Sequence, residues 1–278
     1  MNIKFTKMHG LGNDFMVLDA IHQHIDLTPK QINLLSRRDV GIGFDQCLLV
    51  EKSTRKDIDF FYRIFNADGQ EVGQCGNGAR CLARFLQHYK LTDKTTINVT
   101  TTTTALQLHI NNNDTVTVNM GIPNLSPNDI PLRASAQQVL YQVPGEHIEF
   151  HALSIGNPHA VLLVNNVQQA NVDSIGKHLS EHSLFPQQTN VGFMQIMDKE
   201  TVCLRVYERG CGETNACGSG AVAAVAAGRL FHDLSDEVTV NLRGGKLLVS
   251  WKETGGPIFL TGPATFVYEG NIMGDICV

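Results

Sequence analysis

The chain has 278 residues and 30.5 kDa, with 22 Lys and Arg against 27 Asp and Glu, a net charge of −5 and a pI near 6.1. That balance argues against nucleic acid as a main partner. A 42% hydrophobic, 18% charged composition with 25 Gly and 9 Pro is that of a soluble globular protein, and its length predicts two domains at about 150 residues each. No apolar run reaches the ~18 residues of a membrane span, so no membrane partner is expected. The first seven residues, Met1-Asn2-Ile3-Lys4-Phe5-Thr6-Lys7, hold no signal-peptide core. Seven cysteines is an odd count, and with no export signal they are expected as reduced thiols in the cytoplasm.

Taken in chain order, Ile3–Met8 and Phe15–Asp19 alternate or run apolar at strand length, with a Gly10–Asp14 turn between them. After Cys75, apolar residues at Leu82, Phe85, Leu86 and Tyr89 follow the i, i+3, i+4, i+7 spacing of an amphipathic helix. Thr95–Thr104 and Leu106–Ile110 are rich in β-branched residues, and the five threonines at 100–104 read as a strand and its turn. Asn111–Asp114 then turns the chain into a strand over Thr115–Met120. The segment Ile122–His147 holds four of the nine prolines, the density of a crossover between domains. After Cys217, Ala221–Ala227 is apolar on every side, which predicts a helix buried in the middle of its domain.

The chain repeats itself. Cys75-Gly76-Asn77-Gly78-Ala79 is echoed half a chain later by Cys217-Gly218-Ser219-Gly220-Ala221. Gly12-Asn13 recurs as Gly156-Asn157, Ile3-Lys4-Phe5 as Ile148-Glu149-Phe150, Ile97-Asn98-Val99 as Val240-Asn241-Leu242, and Gly121 as Gly262. Five matches in one order and near one offset predict two similar units, roughly 3–121 and 148–262, each mixed α/β.

Four readings compete for Cys75 and Cys217. Structural zinc would have to use the pairs Cys75/Cys81 and Cys211/Cys217, whose six-residue spacing points the thiols in different directions along a helix. Buried packing suits Cys47, Cys81, Cys203 and Cys277. A phosphate loop would end in Lys-Ser/Thr, which neither segment does. The fourth reading is catalysis. A thiol at a helix N-terminus feels the positive end of the dipole, and the adjoining glycines let backbone N–H groups approach a carboxylate. Two such thiols related by duplication suit a substrate held between two equivalent acid/base groups, as inversion of a stereocentre requires.

Other polar residues recur at equivalent places. Asn66 and Glu208 are separated by the same offset as the two cysteines, and Gln46 and Asn190 by nearly the same. Arg209 offers a fork for a carboxylate and Glu208 a partner for an ammonium. His159 follows the Gly156-Asn157 turn and, with Glu208, is a candidate proton partner.

These residues lie in motifs that resemble the diaminopimelate epimerase family, a group of cofactor-independent two-cysteine amino-acid epimerases. The matching segments are His9-Gly10-Leu11-Gly12-Asn13-Asp14-Phe15, Gly43-Phe44-Asp45-Gln46, Phe65-Asn66-Ala67-Asp68-Gly69 and Cys75-Gly76-Asn77-Gly78-Ala79-Arg80-Cys81. They continue with Gly156-Asn157-Pro158-His159, Thr189-Asn190-Val191, Glu208-Arg209-Gly210, Gly212-Glu213-Thr214 and Ala216-Cys217-Gly218-Ser219-Gly220. The resemblance implies an α/β fold of mixed sheets. It implies two pseudo-symmetric domains, each a sheet wrapped around a central helix, with the active site in the cleft between. On that basis the domains are 1–121, completed by 264–278, and 122–263.

The resemblance also implies interconversion of LL- and meso-2,6-diaminopimelate, on the route to lysine and peptidoglycan, by a homodimer that uses neither pyridoxal phosphate nor a metal. Cys75 and Cys217 match the catalytic cysteines. Asn13, Gln46, Asn66, Asn157, Asn190, Glu208 and Arg209 match substrate-binding positions, and His159 lines the site. Backbone groups of Gly76, Asn77, Gly218 and Ser219 would hold the carboxylate at the reacting carbon. Two positions depart from the pattern. Ser219 stands where Thr is frequent but keeps the hydroxyl, and Gly192 replaces a common second Asn, which would alter loop flexibility near Asn190 but touches no residue assigned to chemistry. Two alternatives stay open: an imino-acid racemase with the same thiol pair, and an amino-acid-binding protein with a degenerate site.

Overall fold

A computed structural model describes residues 2–73 and 75–274. Two compact units result, one holding the chain up to Val118 together with the segment from Gly262, the other continuous from Asn119 to Thr261.

The first unit contains strands β1 (Asn2–Gly10), β2 (Asn13–Asp19), β3 (Gln46–Lys52), β4 (Phe60–Asn66), β5 (Glu71–Val72), β6 (Thr96–Thr100), β7 (Ala105–Ile110) and β8 (Thr115–Asn119), with helices α1 (Pro29–Ser36) and α2 (Gly76–His88). Pairing runs β1–β2 antiparallel, β2–β3 parallel, β3–β4 antiparallel, β4–β6 parallel, then β6–β7 and β7–β8 antiparallel. The short β5 shares the edge of β4 with β6. The threonine run divides as predicted, with Thr96–Thr100 in β6 and Thr101 closing the turn through its N–H to Thr104.

Phe15-Met16-Val17-Leu18 in β2 is buried on both faces, which explains an apolar run without alternation. Met16 and Leu18 pack with Ile32 and Leu35 of α1, while α2 packs on β1, β2, β3 and β7. Helix α1 was not legible in the apolar spacing. Its start is a capping box, Thr28 bonding the Gln31 N–H while Gln31 bonds back, with Pro29 in the first turn. Helix α2 stops at His88, so Tyr89, predicted to extend its apolar stripe, sits at the C-cap instead.

The second unit repeats this plan with β9 (Tyr141–Gln142), β10 (Glu149–Ser154), β11 (Pro158–Leu163), β12 (Asn190–Asp198), β13 (Thr201–Glu208), β14 (Gly212–Thr214), β15 (Glu237–Leu242), β16 (Gly245–Ser250) and β17 (Phe259–Pro263). Its helices are α3 (Val172–Ser180) and α4 (Gly218–Phe231). The pairings β10–β11 antiparallel, β11–β12 parallel, β12–β13 antiparallel, β13–β15 parallel and β15–β16 and β16–β17 antiparallel match the first unit strand for strand. Even the shared edge recurs, β14 and β15 both pairing with β13. Helix α4 packs on β10, β11, β12, β13, β15 and β16, and ten of its residues are buried, as its all-apolar sequence predicts. Helix α3 covers the other face through Val172 and Leu179, as α1 does in the first unit. The final strand, β18 (Thr265–Met273), pairs antiparallel along β1 from Asn2 to His9.

Several expectations change. The proline-rich segment 122–147 is no free crossover, because Ile130, Leu132, Tyr141 and Val143 are buried in the core of the second unit. Pro127, Pro131 and Pro144 stand in turns beside those buried residues. Gly192 lies inside β12, paired with Val161 and Val206, so it stands in a strand and not in a loop whose flexibility it could alter. Cys47 and Cys81 are buried, and burial pushes both thiols up to about 12, but Cys203 is only half-buried and Cys211 is exposed. Cys277 lies outside the described residues.

Candidate active site

Each duplicated cysteine is the N-cap of the helix at the centre of its unit. Cys75 (φ −154°, ψ 108°) precedes α2 and Cys217 (φ −108°, ψ 111°) precedes α4. Each sulfur accepts the N–H of the residue three positions on, Gly78 in one case and Gly220 in the other, both at 3.4 Å. A thiolate in this place satisfies one of the four helix N–H groups that have no acceptor within the helix, and it lies at the positive end of the dipole. The second glycine of each motif has a packing cause. A Cβ on Gly220 would lie 3.2 Å from Cys217 Sγ, and one on Gly78 would lie 3.2 Å from Leu48 Cδ2.

In the first unit, sheet register gathers the predicted amides. β2 starts at Asn13, β3 starts at Gln46 and β4 ends at Asn66, with Phe15 opposite Gln46 and Gln46 opposite Asn66. Gln46 Nε2 donates to Asn66 Oδ1 at 2.9 Å. Asn13 Oδ1 accepts from Asn77 Nδ2 at 3.1 Å and lies 3.8 Å from Cys75 Sγ, while Asn13 Nδ2 donates to Asp45 Oδ2 at 3.0 Å. Asp45 is in turn paired with Arg38, which also grips Asp14. Burial alone would raise the Asp14 carboxyl, yet hydrogen bonds and charge from Arg38 and Lys7 outweigh it and hold the group at about 2. Behind Asn77 stands Arg80, whose Nη2 donates to Asn77 Oδ1 at 2.9 Å.

The second unit gathers its residues at the matching strand ends. His159 of β11 lies opposite Asn190, the first residue of β12, and β13 ends at Glu208. Asn190 clamps two backbones, with Nδ2 donating to Pro158 O at 3.1 Å and Oδ1 accepting the Arg209 N–H at 3.0 Å. The Arg209 guanidinium is exposed and anchored by one bond from Nη1 to Gln187 O, 3.0 Å long.

His159 is 1% exposed, and burial followed by the Arg209 charge pushes it down to about 3. It is therefore a neutral imidazole. Since an amide oxygen only accepts, Nε2 carries the proton in the 3.1 Å bond to Asn157 Oδ1. Asn157 Nδ2 donates to Ser219 Oγ at 3.3 Å, and that hydroxyl lies 3.7 Å from Cys217 Sγ. The histidine thus reaches the thiol through two intermediaries.

Glu208 is the residue nearest in character to a proton partner. Its Oε1 accepts from Thr214 Oγ1 at 2.5 Å. Burial pushes its carboxyl up against hydrogen bonds from Thr214 and Cys217. Cys217 is 4% exposed, and its thiol is pushed well up by burial first and by the Glu208 charge second. Thr214 and Arg80 both escaped the sequence reading. Each sits within a quoted motif, and an arginine inside the apolar stretch Ala79–Ala83 was the available signal. Among the described residues, no group of three or more His, Cys, Asp or Glu side chains could hold a metal ion.

Residues 5–126 and 151–267 match the family model described as diaminopimelate epimerase. A diaminopimelate epimerase of Legionella pneumophila (strain Paris) is 60% identical over 276 residues, covering 98% of this chain and 100% of the relative. One of Pseudomonas aeruginosa (strain LESB58) is 50% identical over 274 residues, 98% of this chain and 99% of the relative. Among solved structures, a hydroxyproline epimerase from Agrobacterium vitis superposes with a TM-score of 0.71 at 13% identity, covering 98% of this chain and 92% of its own, a likeness of fold alone. Matched across both of its units and along nearly its whole length, the chain belongs to the diaminopimelate epimerase family.

Proposed function

We propose that Cys75 and Cys217 are the two acid/base groups with which this enzyme interconverts LL-2,6-diaminopimelate and meso-2,6-diaminopimelate, a step toward lysine and peptidoglycan. The observation that carries this reading is the duplication of one device, a cysteine N-cap whose sulfur faces the first turn of a central helix. A thiolate takes the α-proton, so the Cα–H bond breaks and an S–H bond forms. The opposite thiol then gives its proton to the other face of the carbanion and is left as the thiolate. The two sulfurs have exchanged roles, and the reverse reaction starts from that state.

The α-proton is a very weak acid, so the developing charge needs donors already in place. Backbone N–H groups of Gly76 and Asn77 from one helix and of Gly218 and Ser219 from the other hold the α-carboxylate where that charge collects. Losing a single donor of this kind typically costs about 10²–10³ in rate, which explains why two helix termini serve one carboxylate. Glu208 pairs with an ammonium and Arg209 with a carboxylate, while Asn13, Gln46, Asn66, Asn157 and Asn190 supply neutral hydrogen bonds. Asn190, whose amide already clamps Pro158 and Arg209, also sets the aim of the arginine.

On this reading the two units, 1–121 with 264–278 and 122–263, are paired epimerase domains. Catalysis runs without pyridoxal phosphate or a metal, in a cytoplasmic homodimer. Among the described residues no helix is long and apolar enough to cross a membrane. Epimerisation in deuterated water tests the mechanism. The inverted carbon of the product should carry deuterium, and a product that retains its original hydrogen there would overturn the two-base reading.

A further inference from the structure

Asn13 and Asn157 are repeat partners, and so are Asn77 and Ser219, each two residues after its cysteine. Both pairs are hydrogen-bonded, but in opposite directions. In the first unit Asn77 Nδ2 donates to Asn13 Oδ1 at 3.1 Å, and the same oxygen faces Cys75 Sγ at 3.8 Å. In the second, Asn157 Nδ2 donates to Ser219 Oγ at 3.3 Å, while Asn157 Oδ1 is held by His159. One asparagine turns its oxygen toward the thiol side of its unit, the other its NH2 group.

The two ends of an amide have nearly the same shape, so its partners decide which way it points. Around Asn13 those partners leave no choice. Arg80 can only donate, and its Nη2 bond to Asn77 Oδ1 turns Asn77 Nδ2 toward Asn13. The Asp45 carboxylate can only accept, and its Oδ2 takes Asn13 Nδ2 at 3.0 Å. Asp45 is itself fixed. The same Oδ2 accepts the Asp14 N–H at 3.1 Å, the Asp45 N–H donates to Asp14 Oδ1 at 2.9 Å, and Arg38 Nη2 reaches both carboxylates.

We propose that Asp45 is a positioning residue that keeps the Asn13 oxygen turned to Cys75, where that oxygen accepts a hydrogen bond from the thiol. The inference rests on Cys75 being one of the two acid/base groups. Held this way, the amide favours the protonated sulfur, the form that returns a proton to the carbanion. A turned amide would present NH2 and favour the thiolate instead.

Alkylation reads the direction of the amide without turnover, because iodoacetamide reacts with thiolate. The full-length enzyme would be treated at about pH 7.5, with Cys75 and Cys217 quantified separately by peptide mass spectrometry. Asp45→Asn keeps the shape but offers Asn13 a group that can donate or accept, which releases the Asn13 amide to turn. Cys75 should then react about three- to tenfold faster than in the wild type, the worth of one hydrogen bond, with Cys217 unmoved. Asp45→Glu keeps an acceptor-only end and should stay within about twofold of the wild type. In an Asn13→Ala background, Asp45→Asn should change the Cys75 rate by less than about twofold, since no amide is left to turn.

An unchanged Cys75 rate in folded Asp45→Asn overturns the proposal, as does an acceleration by Glu as large as that by Asn. So does the same acceleration in the Asn13→Ala background, which would mean that lost charge or a loosened loop acts on the sulfur without the amide. Should Asp45→Asn fail to fold, Asn13→Ala alone decides. Losing the acceptor should speed Cys75, and a slower reaction would mean that Asn13 turns its NH2 group to the sulfur. Failure of the deuterium experiment would remove the catalytic role of Cys75 yet leave these rates readable, so the two failures are distinguishable.

Discussion

The two units share one chain path, strand for strand, yet their thiols sit in opposite chemical company. Around Cys75 lie neutral amides with a guanidinium behind them. Around Cys217 lie a carboxylate, a hydroxyl and a neutral imidazole relayed through an amide. Duplication supplied the symmetric part, the helix N-terminus and its capping sulfur. Divergence at a few side chains supplied an electrostatic difference.

The largest expected effect comes from removing one base at a time. Cys75→Ala and Cys217→Ala should each lower epimerisation by on the order of 10³-fold or more while circular dichroism and melting stay near wild type. The comparison sharpens in solvent-exchange measurements. Each variant should retain slow exchange of one substrate isomer only, and the surviving isomer should differ between the two. Turnover near wild type in either variant would dissolve the pairing.

A smaller difference is expected at the glycines. Gly220→Ala places a methyl 3.0 Å from Val206 Cγ2 and 3.2 Å from Cys217 Sγ, so it pushes on the sulfur proposed as a base. Gly78→Ala meets Leu48 and Phe15 at 3.2 and 3.3 Å and Cys75 only at its Cβ, 3.5 Å away. Urea denaturation of Gly78→Ala should show a loss of about 1–3 kcal/mol from overpacking, with kcat less affected. If Cys217 is a base as proposed, Gly220→Ala should lose about tenfold more in kcat than Gly78→Ala, because a displaced sulfur meets the α-proton in poorer geometry. Equal losses would mean that both contacts are ordinary packing.

The smallest effect is a pH slope. His159 titrates near 3 in the folded enzyme and near 6.5 when unfolded, so between those values only the unfolded chain binds the proton. Stability therefore falls as pH drops below 6.5, by up to about 1.4 kcal/mol per unit for one proton, until the folded group itself protonates near 3. Asp14 acts lower down. With its carboxyl held at about 2 against an ordinary 3.8, the stability it contributes is complete above the higher value and lost on acidification through the lower. His159→Gln should flatten the melting-temperature profile between about pH 4 and 6.5 while leaving the steeper acid limb in place. An unchanged slope would mean that the histidine is not held neutral.

Much of this was legible because short-range rules govern it. A cysteine followed by two spaced glycines and an apolar run leaves little choice but a helix start, and the repeat at half the chain length foretold the plan of the second unit. Helix α1 was equally local, its capping box spelled by Thr28, Pro29 and Gln31, but it escapes a search that weighs apolar spacing alone. Helix α3 has no side-chain cap bond at Asn171 and gave less to find. The 122–147 segment misled because prolines mark turns whether a turn is exposed or packed, and Ile130 and Val143 reach the core through tertiary contacts that no spacing encodes. Gln46 and Asn66 meet through sheet register, and Arg80 is buried behind Asn77. Both are properties of the assembled sheet.

The pairing of β18 along β1 joins the two ends of the chain in the same unit. During synthesis, the continuous stretch from Asn119 to Thr261 can collapse once it has emerged. The unit that begins first must wait for β18, which is made after the second unit. Folding during synthesis is therefore expected to run against reading order, the Cys217 scaffold before the Cys75 scaffold. A ribosome stalled before Thr265, or a protease trimming that strand, would strike the half whose thiol lies farthest away in sequence.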